Sequence, residues 1–351
     1  MTVGIVGYGA YIPRYRLTTE EITHAWSHDH AKMVASLAIH EKAVAGQDED
    51  TVTIAVQAAE NALVRAQLLP DKLGALYIGS ESHPYAVKPS ATIVGTALGL
   101  TRDYLAADME FACKGGTAAV QAAYGLVASD VVRYALAIGA DVAQATPGDI
   151  LEYSAAAGGA ACILGNQKNE FLAVIEKTLS ISSDTPDFWR RSLQQYPEHL
   201  GRFTAEPAYF AHIYEATEKI LSENSLQAKD FDVVVFHQPN GKFPVTAAKK
   251  LGFSLQQLQP GLLCPLVGNS YSATALLGLT AVLDQAEAGQ KILLISYGSG
   301  SGSDAFIITT TKLLKKRQQL TATTADYIER KEYVSYLRYR QMYARREGSK
   351  Q

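Results

Sequence analysis

The chain has 351 residues, 47% of them hydrophobic and 19% charged, with a formal charge of −3. That length allows two core-bearing units, and the balance argues against a disordered or fibrous chain. Three widely spaced cysteines, Cys113, Cys162 and Cys264, with no Cys-x-x-Cys pair, argue against a disulfide framework and a structural zinc site and suit a reducing cytosol. The first residues hold no basic region followed by a long apolar run, and no apolar stretch reaches the ~18–20 residues of a membrane span. A cytoplasmic protein without membrane contact is expected.

Residues 3–9 read as an apolar strand punctuated by glycine, and a polar helix follows from 18 to about 26. Val52, Ile54, Ala55, Ala58, Ala59, Ala62 and Leu63 recur at helical spacing and predict a helix over 50–66. Residues 73–79 read as a buried strand with Glu81 just past its end, and 89–98 as a small-residue helix. A short strand ends at Phe111 and an Ala-rich helix begins near Gly116, which puts Cys113 at the corner between them. Residues 134–140 form a further buried strand, 155–159 a flexible glycine turn, and 160–164 the strand that closes this half.

The second half repeats the order. A strand over 171–180 and a helix over 207–223 precede a buried strand at 233–236, with His237 just past its end. Residues 246–251 are helical, and 262–266 with the run from Gly268 mirror the Cys113 elbow. Strands over 292–297 and from Gly302 close this half. Two such halves, 1–166 and 167–312, predict a duplicated, layered α/β fold. From Lys312 onward, eleven Lys or Arg stand against four Asp or Glu, a net of +7 that leaves −10 for the rest. This basic, Tyr-rich tail, 313–351, reads as a solvated helix folded back over the domain, since no other nucleic-acid signature accompanies it.

Cys113, Glu81 and His237 each follow an apolar strand, where ligands bind in sheets of this kind. Singly, each has a plainer alternative: a buried Cys, a surface or capping Glu, a structural His. A helix N-terminus behind Cys113 favours thiolate over thiol. The run Gly298-Ser-Gly-Ser-Gly-Ser-Asp lacks the Lys of a phosphate loop and reads as backbone close to a substrate, with N–H groups for an oxyanion, or as a plain tight turn.

The runs Phe111-Ala-Cys-Lys-Gly-Gly-Thr, Gly79-Ser-Glu-Ser-His-Pro-Tyr-Ala-Val-Lys-Pro, Phe236-His-Gln-Pro-Asn-Gly-Lys and Ser296-Tyr-Gly-Ser-Gly-Ser-Gly-Ser-Asp resemble the archaeal-type hydroxymethylglutaryl-CoA synthases of the thiolase superfamily. The resemblance implies a thiolase-like duplicated fold in α-β-α-β-α layers. It implies an acyltransferase that condenses acetyl-CoA with acetoacetyl-CoA and water to give 3-hydroxy-3-methylglutaryl-CoA, early in isoprenoid (mevalonate) synthesis. Cys113 would carry the acetyl group, Glu81 take a methyl proton, and His237 hold the second acyl chain and protonate the alkoxide. Ser154, Thr204, Asn269 and Ser299 match substrate-binding positions, and Lys242 is placed to meet a CoA phosphate. No metal and no cofactor beyond the CoA thioesters is implied.

The resemblance also implies a homodimer, with the strand near Met109 to Phe111 pairing across a two-fold axis. Archaeal-type relatives associate with an acetoacetyl-CoA thiolase and a small OB-fold protein. Two departures stand out. Gly116 takes a place where Ala is expected, which would loosen the elbow, and Thr246 stands where some relatives carry a basic residue near CoA. The competing readings are a ketoacyl synthase III-like condensing enzyme and a non-catalytic scaffold subunit of a thiolase complex.

Overall fold

The strand Val3–Tyr11 lies beneath the helix Thr51–Ala66 in a computed structural model that describes residues 1–346. The helix starts at a reciprocal cap. Asp50 accepts the Thr53 N–H at 2.9 Å, and the Thr53 hydroxyl accepts the Asp50 N–H at 2.8 Å. Its alanine face, Ala55, Ala58, Ala59 and Ala62, is fully buried. A Cβ on Gly9 would stand 2.2 Å from the Ala58 carbonyl oxygen, and one on Gly7 2.3 Å from that of Ala62. The glycines of this strand therefore let the helix lie directly on it.

Nine strands form one mixed sheet, in the spatial order Val233–Phe236, Lys291–Ile295, Gly302–Thr310, Ala173–Ser182, Val3–Tyr11, Ala157–Gly165, Tyr134–Val142, Ala75–Gly79 and Leu105–Met109. The first four come from the second half of the chain and the last five from the first half, joined where Val3 to Ile5 pair antiparallel with Ile175 to Ala173. Ala75–Gly79 runs parallel to both its neighbours, as Val233–Phe236 does to Lys291–Ile295. Those parallel strands end on the side where Glu81, Cys113 and His237 follow.

Helices Gly115–Ala128 and Thr274–Leu283 lie between the two groups of strands. One core joins Ala119, Val120 and Ala123 of the first helix and Leu276 and Leu279 of the second to Ala75 and Ala135 on one side and Val235 and Leu294 on the other. All ten residues of Thr274–Leu283 are buried, as a helix sandwiched between sheets requires. Each of its buried leucines contributes roughly 2–3 kcal/mol. Outside, Thr51–Ala66 and Ser90–Leu98 cover one group of strands, and Ala211–Glu223 and Phe243–Lys250 the other. The five layers are those that the resemblance implied.

Three local expectations are corrected. Residues 262–266 form no strand; Cys264–Val267 is a helical turn. The Gln238 side chain replaces the missing neighbour, accepting the N–H groups of Leu263 and Cys264 at 2.8 and 2.9 Å and donating to the Gly261 carbonyl at 2.6 Å. Residues 155–159 are not a flexible turn. Ala157–Gly165 is one strand, with Gly158 opposite Asp141 and Gly159 opposite Ala140, and its glycines admit Leu277 and Ile54 from the two faces. The tail folds back but is not simply solvated. Glu332–Tyr333 pairs with Tyr15 and Arg16, and Tyr336–Arg346 buries Tyr339, Met342 and Tyr343. Residues 347–351 of that tail lie outside the described residues. Among the described residues, no helix is long and apolar enough to cross a membrane.

Candidate active site

The corner that carries Cys113 turns on Ala112, whose φ of 46° lies in the left-handed region. That conformation costs an alanine about 1–2 kcal/mol, so packing must hold it. Behind it the backbone is unusually close-set. A Cβ on Gly116 would stand 2.4 Å from the Ser272 carbonyl oxygen and 2.8 Å from the Gly139 Cα. Gly116 therefore tightens the elbow, against the expectation that it loosens it. The Lys114 ammonium lies 3.0 Å from Asp304 Oδ1 and 3.7 Å from the centre of the Phe111 ring, and both charged groups are buried. Thr117 and Ser180 donate their hydroxyls to the same carboxylate at 2.7 and 2.6 Å. The second elbow shares this corner geometry, with Tyr271 at φ 48°.

Glu81 is half-buried as a residue, yet its Oε1 is withdrawn from solvent without a hydrogen-bond partner among the described residues, and the carboxyl lies within electrostatic reach of the Cys113 thiol. Its N–H donates to Asp141 Oδ1 at 2.8 Å and its carbonyl accepts from Arg190 at 3.1 Å, so both sides of its backbone are held. Burial, with the Asp141 charge adding to it, pushes the Glu81 carboxyl up to about 8. Burial also raises Cys113 well above the ordinary thiol range, and Glu81, Asp141 and Asp187 add to it. The expectation that the helix N-terminus makes Cys113 a resting thiolate is thus reversed, because burial and three neighbouring acids outweigh one helix end.

His237 follows Val233–Phe236, its N–H bonded to the Ile295 carbonyl at 2.8 Å and its carbonyl accepting the Tyr209 hydroxyl at 2.8 Å. Burial lowers its imidazole to about 3, so the ring is neutral. Its Nδ1 finds no partner among the described residues. The Tyr297 ring lies 6.1 Å from the His237 ring and donates its hydroxyl to Asp187 at 2.9 Å. Tyr297 lies within electrostatic reach of Cys113. Gly298, next along, passes directly over the elbow, since a Cβ there would stand 2.6 Å from the Phe111 carbonyl oxygen. Glu81 and Cys113 thus lie within electrostatic reach of each other, and Tyr297 lies beside the His237 ring and within the same reach of Cys113.

The other predicted residues are distributed unevenly. Ser154 and Asn269 are buried and zipped together, the Asn269 N–H bonding the Ser154 carbonyl at 2.7 Å. The Asn269 side-chain oxygen is committed to its own elbow, accepting from the Tyr271 N–H at 2.9 Å and the Thr274 hydroxyl at 2.7 Å. Ser299, half-buried, lies near enough to the Tyr297 hydroxyl to ease its ionisation. Thr204 bonds within its own turn to the Gly201 carbonyl at 2.7 Å, just ahead of the π-helical turn that carries Tyr209. Lys242 is exposed at the start of Phe243–Lys250. Among the described residues, no group of three or more His, Cys, Asp or Glu could hold a metal ion.

Sequence reasoning missed Asp141, which accepts from Ser80, Glu81, Ser82 and Ser272 at 2.6–2.9 Å. The rule that found Glu81 and His237, a polar residue at the end of an apolar strand, applies to it equally. Tyr271 and Phe188, which pack around Cys113 with Ala143, Ala145 and Ala155, carried no such signal.

Comparison with known proteins adds to this geometry. Residues 1–169 match the family described as hydroxymethylglutaryl-coenzyme A synthase N terminal, and 221–310 the 3-oxoacyl-[acyl-carrier-protein] synthase III C terminal. The chain is 54% identical to a hydroxymethylglutaryl-CoA synthase of Methanobrevibacter smithii, across 96% of this chain and 97% of the relative. It is 55% identical to that of Methanocaldococcus jannaschii, across 96% and 97%. A crystal structure of HMG-CoA synthase complexed with CoA superposes with a TM-score of 0.87 at 25% identity, covering 97% of this chain and 90% of that one. The Pseudomonas aeruginosa 3-oxoacyl synthase III, FabH, reaches 0.81 at 19% identity, covering 89% and 98%, and shares the fold. With a thiolase-like fold and over half its residues shared with these relatives along nearly its whole length, the chain belongs to the hydroxymethylglutaryl-CoA synthase family.

Proposed function

We propose that the protein condenses acetyl-CoA with acetoacetyl-CoA and water to 3-hydroxy-3-methylglutaryl-CoA and CoA, with Cys113 as nucleophile, Glu81 as acid–base and His237 as binder of the second acyl chain. The observation that carries this reading is the buried Glu81 carboxyl, its Oε1 without a partner among the described residues, set beside the Cys113 thiol and ionising near 8.

The Cys113 sulfur attacks the acetyl carbonyl, the bond to CoA breaks, and the thiol proton leaves with the CoA sulfur. Glu81 as carboxylate then takes a proton from the acetyl methyl group. A carboxyl ionising near 8 is a far better base than an ordinary Glu, which so weak a carbon acid requires. Backbone N–H groups of Cys113 and Ser299 steady the enolate. The enolate carbon attacks the ketone of acetoacetyl-CoA. His237, neutral at a pKa of about 3, holds that ketone as an N–H donor, not as an imidazolium. The acid in place when the alkoxide forms is Glu81, which has just accepted the methyl proton. The resemblance gave His237 both the holding of the chain and this proton; here only the holding stays with it. Water then releases the product from Cys113.

Ser154, Thr204, Asn269 and Ser299 contact the acyl chains in this reading, and Lys242, exposed near the His237 loop, meets a CoA phosphate as a point charge. No cofactor beyond the CoA thioesters enters. Halves 1–166 and 167–312 supply the Cys113/Glu81 and His237/Asn269 sides, and 313–351 is an appended tail. The enzyme acts as a cytoplasmic homodimer early in isoprenoid synthesis, in company with an acetoacetyl-CoA thiolase and an OB-fold protein. The edge strand Leu105–Met109, with Leu105 exposed, supports the dimer.

The test is to incubate the enzyme with labelled acetyl-CoA and then with acetoacetyl-CoA. One acetyl group on Cys113, chased into the branched six-carbon thioester, is expected. Labelled enzyme that never yields that product would leave a ketoacyl synthase III-like acyltransferase, and an unlabelled one a scaffold.

A further inference from the structure

The tail helix Tyr336–Arg346 is fixed to the segment that leads into the active site. The Tyr336 hydroxyl donates to Glu152 Oε1 at 3.0 Å, its N–H bonds Glu21 at 2.8 Å, and Trp26 donates to its hydroxyl at 2.9 Å. Lys42, donating to the Glu152 carbonyl, lies 4.8 Å from the centre of the Tyr339 ring. One turn on, Tyr339 and Tyr343 pack against each other at 6.0 Å and join Val44 and Tyr153 in a buried cluster. Tyr153 directly precedes Ser154.

Between this cluster and Cys113 the side chains are small. Tyr339 and Tyr343 line a cavity of about 10 Å³, room for a single water molecule, whose other walls include Ala43, Ala45, Ala143 and Ala155. Ala143 and Ala155 also belong to the cluster packed around Cys113 with Tyr271. Ala143 and Ala155 therefore stand between the reacting sulfur and this cavity, whose bulky walls are Val44, Val142 and the two tail tyrosines. A cavity this small stays small only while those rings stay in place.

Resting on the function proposed above, we infer that the tail helix is the outer wall of the acyl chamber, and that Tyr343, backed by Tyr339, restricts the group loaded on Cys113 to two carbons. Removing the Tyr343 ring enlarges the cavity behind Ala143 and Ala155, so that these side chains can give way and leave room for a third carbon on Cys113. The step affected is thioester exchange: the Cys113 sulfur bonds to the acyl carbon, the CoA–acyl bond breaks, and the thiol proton departs with CoA. Its chemistry is unchanged, and only the acyl group admitted differs.

Intact-protein mass spectrometry of the full chain, mixed with acetyl-CoA or propionyl-CoA, reads both loading rates on Cys113. In Tyr343→Ala the propionyl-to-acetyl ratio should rise at least tenfold, while Tyr343→Phe, which keeps the ring, leaves it unchanged. Tyr343→Leu, an apolar replacement in an apolar cluster, provides the same reading if the alanine variant does not fold. A ratio that stays constant in folded Tyr343→Ala or Tyr343→Leu while both rates fall together overturns the inference and makes the helix a mere support. A wild-type enzyme that takes no acetyl group removes the underlying function, and this inference with it.

Discussion

The Glu81 carboxyl and the Cys113 thiol lie within reach of each other in a pocket that favours the uncharged form of each; Glu81 adds to the cost of ionising Cys113, while the thiol eases the ionisation of Glu81. Such a pair titrates as a unit. In Glu81→Gln the charge that holds Cys113 up is gone, so acetylation of Cys113 should persist. Condensation, which needs the carboxylate to take the methyl proton, should fall by about 10²–10⁴-fold. A labelling assay and a full-turnover assay on the same variant separate the two steps. Loss of both together would mean that Glu81 serves loading as well.

The same pair makes stability depend on pH. The Glu81 carboxyl ionises near 8 when folded and near 4.5 when unfolded. Below about 4.5 it is protonated in both states and contributes no difference. Between 4.5 and 8 the folded state binds more protons, so stability drops as pH rises, and above 8 the cost of a buried carboxylate is felt in full. Glu81→Gln removes that cost. Its melting temperature should exceed the wild type's by a few degrees at pH 8.5 and by clearly less at pH 5, as differential scanning calorimetry would record.

His237 should contribute no inflection to the rate between pH 5 and 9, because burial keeps its ring neutral throughout. In His237→Ala, acetylation of Cys113 should be unchanged while the KM for acetoacetyl-CoA rises by an order of magnitude or more. Removing one hydrogen bond to a substrate carbonyl is worth about 1–3 kcal/mol, which sets that scale. A loading rate that falls as steeply as turnover would contradict the division of labour.

Asp141 lifts Glu81 by charge and holds its backbone by the bond from the Glu81 N–H. Condensation by the wild type should climb with pH toward 8 as Glu81 ionises. Asp141→Asn keeps the shape, removes the neighbouring charge, and should move that inflection to lower pH while weakening the base. A pH–rate profile with its midpoint unmoved would show that Asp141 acts through position alone.

The strand ends were legible because a polar residue directly after a buried apolar run has few structural reasons to be there, and Glu81 and His237 both stand so. The layering was legible from two runs of such strands. The second elbow was misread because its strand is replaced by one side chain, and nothing in the run before Gly268 reveals that Gln238 satisfies its backbone. Gly158 and Gly159 looked like a turn because glycine in sequence does not distinguish a bend from a surface pressed on both faces. The thiol's protonation was misjudged because burial, and Glu81, Asp141 and Asp187, reach Cys113 only through the tertiary fold.

Lys114 and Asp304 show what the elbow rests on. Both are buried, 3.0 Å apart, and join the residue after the nucleophile to the strand Gly302–Thr310 of the other half. Removing one member of a buried pair strands the other charge, at a cost of about 3–5 kcal/mol. Lys114→Met should therefore lower the urea midpoint sharply, and slow acetylation of Cys113 as the corner at Ala112 relaxes. Adding Asp304→Asn neutralises the stranded charge yet keeps an acceptor for the Thr117 and Ser180 hydroxyls, so the double variant should regain much of the lost stability. If the double variant is no more stable than Lys114→Met alone, the contact of the ammonium with the Phe111 ring, rather than its pairing with Asp304, holds the elbow closed.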